Sequence, residues 1–484
     1  MSPARREGAL APVLVFTTMV AAVISSLGAP LIPSISADLH LPLSTAQWSL
    51  TATLLVGAVS APILGRLGDG PHRRGALVAG LAAVTLGGVV AALAPGLGAL
   101  VVGRALQGVG LGLVPLTMAA ARDHLPRERV PGTIALLSVC AAAGVGAGYP
   151  ISGLLADSLG LSAAFWFGAA VSGLALLCVV AVVPSSADHP AAPLDVLGAV
   201  LLSAGLTALL LAVAEGNAWG WTSPQVVGLL VGAAVLGSVW VRQQLRARLP
   251  LVELRLLRRP AVLTGNGCAV VLGVAMYMYV SAVTEYVQTP RAAGYGFSAS
   301  VVVAGLCLVP FSVGSLLASR SLPRLTALVG ERLLLPLGAL VVAAAGAFFA
   351  VLHTSLWQAF VMTAVLGLGL GATFAAIPGL IVRAVPPTET GSAMGFYQVA
   401  RYIGFSLGSA LAATLLAGST PAGQHLPAES GYTLVLWTAV AVCVLAAGLA
   451  WVLPGRGAAD RDEELLGEED GELGTAGLVG VTRA

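Results

Sequence analysis

Residues 100–112 read LVVGRALQGVGLG. They place one arginine, Arg104, and one glutamine, Gln107, among eleven aliphatic or glycine positions. A guanidinium keeps its charge in any protein setting, so its place in so apolar a stretch needs a partner or a task. Composition decides what surrounds it. The chain has 484 residues, of which 57% are hydrophobic and 10% charged, against about 25% charged in soluble domains. A soluble chain of this length cannot hide that much apolar surface, so the stretch belongs to a polytopic membrane protein.

A span needs about 20 mostly apolar residues to cross about 30 Å of hydrocarbon. Such runs are expected near 10–33, 47–66, 75–94, 98–120, 132–155, 163–183, 194–214, 224–241, 261–284, 299–319, 332–351, 356–382, 392–417 and 431–453, fourteen in all. The runs at 224–241 and 299–319 are short. With both termini in the cytoplasm, the inner connections hold sixteen arginines, from Arg66, Arg73 and Arg74 through to Arg383, and the outer connections hold Arg291 alone. That asymmetry agrees with the positive-inside rule, and one missed span would scramble it. The expected location is the inner (cytoplasmic) membrane.

Net charge is +2 and every basic residue is arginine, so there is no strong field to attract nucleic acid. The five cysteines, Cys140, Cys178, Cys268, Cys307 and Cys443, fall inside apolar runs without a CxxC pair and read as small buried hydrophobes. No metal-ligand cluster and no phosphate-binding GxxxxGK[ST] stretch occurs, so neither a metal nor ATP drive is expected. The first apolar run lacks a small-residue cleavage site and reads as a true span. Residues 456–484, beginning just before DRDEELLGEEDGEL, read as a disordered acidic cytoplasmic tail.

The glycine pattern recurs. GVGLG at 108–112 matches GLGLG at 367–371, an offset of 259, and each is followed by a short polar loop and a second glycine-rich span. Two related halves with a substrate path between them are a common transporter plan. Spans four and twelve lie eight apart, which fits six spans, two additional spans and six spans. The expected units are residues 1–183, 184–260 and 261–455.

Residues 65–75, GRLGDGPHRRG, join spans two and three. Gly65 and Gly68 permit tight turning and close approach. Asp69 can accept hydrogen bonds from the start of span three, where a helix favours an anion. Arg73 and Arg74 lie within reach of carbonyls or lipid phosphates. The whole reads as a charged latch whose partners change as two halves rock, or as a plain polar turn.

These stretches resemble a known family. GRLGDGPHRR is similar to the signature loop of the major facilitator superfamily, and RALQGVGLG resembles its fourth-span motif. GVGAGYPISG resembles the fifth-span motif of its antiporters, with Tyr149 where glycine is usual before Pro150. Residues 193–221 and 285–310 resemble the seventh span and the ninth-to-tenth-span segment of the fourteen-span drug:proton antiporter branch. The resemblance implies an all-α membrane protein with two six-helix bundles plus two extra helices. It also implies export of small amphipathic molecules in exchange for protons, with no cofactor beyond the proton gradient and the chain acting as a monomer. One departure stands out: the branch often carries an acidic residue in span one, where this chain has Ile24, Ser25 and Ser26.

The candidate transport and coupling residues are therefore Arg104, Gln107, Glu285 and Arg401. Gln107 shares a helix face with Arg104, and the resemblance links the fourth-span arginine to proton coupling. Glu285 ends span nine, where an apolar surround would let a carboxyl load and release a proton; an ordinary interfacial carboxylate is the alternative. Arg401, near mid-membrane, requires a carboxylate, carbonyls or water. Gly144, Gly148, Pro150 and Gly153 are expected to bend span five and pack it tightly. An importer or facilitator of one metabolite on the same fold is the rival reading. A membrane sensor or enzyme would want clustered catalytic residues or a soluble domain.

Overall fold

The computed structural model describes residues 3–41, 43–46, 48–184, 195–421 and 426–452. The tail expected over 456–484 and almost all of the linker at 184–193 lie outside the described residues. Fourteen long helices follow one another. They are α1 (Pro3–Ser26), α2 (Trp48–Gly68), α3 (Arg73–Ala92), α4 (Leu97–His124), α5 (Val130–Leu159), α6 (Leu161–Val182) and α7 (Val196–Trp219). Then come α8 (Pro224–Arg246), α9 (Pro260–Gln288), α10 (Val309–Val329), α11 (Glu331–Val351), α12 (Leu356–Ala384), α13 (Thr390–Gly418) and α14 (Glu429–Val452). Among the described residues there is no strand. In lipid this is the expected solution, because a helix satisfies its own backbone.

Twelve helices are long and apolar enough to cross a bilayer; the described parts of α1 and α5 carry shorter apolar stretches, Gly8–Ile24 and Val130–Ala141. The fourteen expected spans thus all form helices, and α1 and α5 have 24 and 30 residues. The short runs at 224–241 and 299–319 extend into α8 and α10. The first run breaks at Leu27, and a further helix, Gly28–Asp38, continues it. Pro30 has no N–H to continue the ladder. α4 tightens into a 3-10 turn at Val109–Gly112, within the glycine-rich stretch.

The repeat is real in three dimensions. Gly110 of α4 faces Val84 of α3, at 3.1 Å from where its Cβ would stand, and Gly369 of α12 faces Val342 of α11, at 2.7 Å. Gly108 abuts the backbone of Thr53 in α2, and Gly367 abuts the backbone of Phe311 in α10. α1 packs on α5 as α9 packs on α13, and α3 on α6 as α11 on α14. The halves meet along two seams, α2 with α13 and α5 with α10. α2 is the counterpart of α10 and α5 of α13, so a two-fold operation exchanges the seams.

α7 and α8 form a hairpin, and α7 lies against both α2 and α13 at one seam. Asp195 starts α7, accepting from the Gly198 N–H at 2.8 Å and from Gln243 and Gln244 of α8 at 3.0 and 2.7 Å. Val227, Val231 and Val235 of α8 are exposed, as side chains facing lipid are.

Close backbone approach makes a prediction. A methyl group at Gly367 would meet the Phe311 Cα at 2.8 Å, whereas nothing lies within 4 Å at Gly379. Gly367→Ala is expected to lower stability by about 1–3 kcal/mol, read as a lower melting midpoint of the purified protein, and Gly379→Ala, inside the same helix, to raise the midpoint slightly.

Candidate functional site at the seam between the halves

Asp69 follows the last residue of α2. Its carboxylate accepts from the Gly391 N–H at 2.6 Å, the Ser392 N–H at 2.8 Å and the Ser392 hydroxyl at 2.5 Å. These donors belong to the first turn of α13, in the other half. The expected partner, the start of span three, is therefore corrected: the right kind of helix end receives the anion, but span thirteen supplies it. α3 begins at His72 without any side-chain cap. The reason is packing. Gly65 brings α2 against α13 backbone to backbone, with Gly391 C only 3.1 Å from where a Gly65 Cβ would stand. Asp69, one turn on, then faces free N–H groups of α13. Burial pushes Asp69 up to about 7, opposed by its hydrogen bonds from Ser392 and Gly391 and helped by the nearby Glu389 carboxylate.

Two arginines extend the latch. Arg66 spans both carboxylate oxygens of Glu389 at 3.1 Å. Arg122 of α4 donates to the Val385 carbonyl at 3.2 Å and to the Thr390 hydroxyl. Neither was singled out from sequence beyond the charge count; the readable signal was the polar PPTETGS stretch at 386–392 ahead of a glycine-rich helix. The rest of the signature loop stays within the first half. Gly68 faces Leu116 of α4, Arg73 binds the Gly68 carbonyl and Asp123, and Arg74 donates to the Val180 carbonyl at the end of α6, 2.7 Å away.

Arg104 is completely buried. It donates to Gln107 Oε1 at 2.7 Å and to the Ile24 carbonyl at 3.2 Å. The Ile24 carbonyl lies in the last turn before the Leu27 break, where the regular ladder ends. Thr53 of α2 donates to the Arg104 carbonyl at 3.0 Å. The side chain thus turns inward and ties α1, α2 and α4 together; it does not reach toward headgroups.

Arg401 is 1% exposed. It donates to Gln398 Oε1 at 2.9 Å, the mirror of the Arg104–Gln107 pair. Its guanidinium lies 4.6 Å from the ring centre of Phe374, 5.4 Å from Phe405 and 5.6 Å from Tyr397. Ser138 of α5 donates to the Phe374 carbonyl at 2.5 Å and lies 3.5 Å from the Tyr397 hydroxyl. Arg401 therefore sits where α12 and α13 border the opposite half.

Glu285 occupies the last turn of α9. It is exposed to solvent. It lies two helical turns from Tyr277, about 12 Å along α9, and is not brought to Arg104 or Arg401. α5 runs as unbroken helix through a buried Pro150. Gly144 packs on Ala22 of α1, Gly148 is buried, and Gly153 faces Val302 across the second seam at 3.6 Å. The expected bend is thus absorbed without interrupting the helix.

Known proteins share this layout. The chain is 29% identical over 419 residues to an uncharacterized MFS-type transporter of Mycobacterium tuberculosis, covering 85% of this chain and 59% of that protein, so the chain spans about three-fifths of that relative's length. It is 30% identical over 415 residues to the tetracenomycin C resistance and export protein of Streptomyces glaucescens, covering 82% of this chain and 74% of that one. The solved structure of the human organic anion transporter MFSD10 (TETRAN) superposes with a TM-score of 0.64 at 15% identity, over 93% of this chain and 100% of that one, and shares the fold. The family model of the Major Facilitator Superfamily matches residues 14–409 and again 265–478. With two exchanged seams, a repeated glycine framework and this family match, the chain belongs to the Major Facilitator Superfamily of membrane transporters.

Proposed function

We propose that this chain exports small, amphipathic, drug-like molecules in exchange for protons by alternating access. The moving bodies are residues 1–183 and 261–455, with 184–260 spanning one seam. In this reading it works as a monomer in the cytoplasmic membrane, both termini inside and the end carrying Arg66, Asp69 and Arg122 facing the cytoplasm. Sixteen arginines on that side support the orientation.

The observation that carries the reading is the latch of Asp69 on the first turn of α13. It joins the two halves at one end through a few breakable polar bonds, as a gate requires, while Arg104 and Arg401 sit buried between the ends. Export of drug-like cargo is supported by the tetracenomycin C relative, named for resistance and export. The proton gradient supplies the drive without a bound cofactor, and Glu285, in the last turn of α9, carries the proton. Protonation shifts the equilibrium only as far as the two conformations differ in proton affinity.

Everted vesicles with an imposed pH gradient test the exchange: substrate flux should fall when the gradient is collapsed, and flux indifferent to it rejects antiport. Glu285→Gln is expected to retain binding and lose the dependence of flux on the gradient. Wild-type pH dependence in that variant removes Glu285 from the coupling step.

A further inference from the structure

The surroundings of Arg401 point to a cargo class. The guanidinium lies against the rings of Phe374, Tyr397 and Phe405, with hydrogen bonds to the neutral Gln398 and to the Tyr397 hydroxyl. Its Nε has no hydrogen-bond partner. Among the described residues no carboxylate pairs with it; the ion pairs join Arg66 to Glu389, Arg73 to Asp123 and His353 to Glu429. Arg66 and Arg73, near the membrane surface, have counter-ions. A fixed cation at mid-membrane, held by rings and neutral polar groups without a counter-ion, is the costlier arrangement. It leaves one positive charge and one N–H unanswered in a low-dielectric site.

The arginine is also set among aromatic rings that pack on one another. Tyr277 of α9 stacks on Phe405 with ring centres 4.6 Å apart. Tyr277 and Tyr402 are partly accessible, and Tyr402 stands one residue after the arginine. Ser138 of the opposite half closes the box through the Phe374 carbonyl and the Tyr397 hydroxyl. Separation of the halves at that seam therefore opens the box. π-Faces accept a planar ring system by stacking, and a guanidinium recognises an oxyanion with its forked N–H groups.

We propose that Arg401 and its aromatic box form the cargo subsite, and that it selects planar aromatic anions, with the cargo's acidic group supplying the counter-charge to Arg401. The proposal rests on the transporter reading above and adds charge selectivity to it. An arginine held only for packing would be indifferent to the sign of a ligand.

The test uses two permanently charged probes on one skeleton, naphthalene-2-sulfonate and 2-naphthyltrimethylammonium, with the full-length protein purified in detergent. A ligand that binds the folded state raises the melting midpoint with the logarithm of its concentration. The sulfonate should raise it and the ammonium should not. Arg401→Gln should weaken the sulfonate effect on the order of tenfold or more, and Arg401→Lys should keep part of it. Equal shifts from both probes, no shift from either, or an undiminished sulfonate shift in Arg401→Gln overturns the proposal. Should Arg401→Gln fail to fold, the wild-type comparison and Phe405→Leu, expected to weaken the sulfonate, still decide it. The measurement reads binding alone. Loss of proton-driven flux in vesicles would reject the antiport reading and leave this result standing, and the converse holds too.

Discussion

Arg104→Ala is expected to abolish transport while the protein still inserts and folds. The magnitudes decide this. Truncation removes hydrogen bonds that include those to Gln107 and to the Ile24 carbonyl, and each acceptor left short costs about 1–3 kcal/mol. It also removes a charge from the membrane interior, which costs about 2.5–3.5 kcal/mol to place there. The two terms oppose each other, so the protein should still insert and fold. Function has no such offset. Arg104 ties the α1 break to α4 and, through its own carbonyl, to Thr53 of α2. Losing about 3 kcal/mol of discrimination between conformations corresponds to roughly a 100-fold loss of flux. Flux per folded molecule in reconstituted vesicles measures it. Flux near wild type would reduce Arg104 to packing. Arg104→Lys keeps the charge but lacks the planar fork, and should fall between.

Acidification is expected to tighten the latch at Asp69. In the joined state burial raises this carboxyl from 3.8 to about 7. Once the halves part and the group meets water, it returns toward the lower value. A raised acid pKa means that the joined state binds the proton more readily. Its advantage is therefore full below about pH 4 and is lost as pH rises through 7. Three units correspond to at most about 4 kcal/mol. Asp69→Asn cannot titrate, so the pH dependence should be gone, and its amide keeps only one of the two acceptor atoms. Asp69→Ala removes the acceptors for Gly391 and Ser392 and should favour parting. Spin labels at the exposed positions 128 and 388, one on each half beside the latch, give the distance distribution. Parting that increases on acidification would contradict the assignment.

Much of this was legible in residue types and spacing. Eleven apolar positions around Arg104 declared a membrane interior, and arginine parity ordered the connections. The offset of 259 between GVGLG and GLGLG carried into matching contacts, Gly110 on Val84 and Gly369 on Val342. Most span edges held within a few residues because length and hydropathy are local properties, whereas the first and tenth runs, expected at 10–33 and 299–319, form α1 at Pro3–Ser26 and α10 at Val309–Val329, each beside a further short helix. Even the Arg104–Gln107 pair could be expected, since residues three apart share a helix face.

The partners of Asp69, Arg66 and Arg122 could not be read that way. Each lies more than 260 positions along the chain, and one carboxylate near two helix starts fits either by local rules. What chose α13 over α3 was the backbone contact at Gly65 and Gly391, a product of how two half-molecules dock. Sequence by itself therefore determined the class, the spans and the repeat, because these follow from the periodicity and polarity of neighbouring residues. Only the tertiary structure decided which charges meet across the seam and that Arg401 stands without an anion. Such pairings depend on distances between helices, and those are set by packing over the whole bundle.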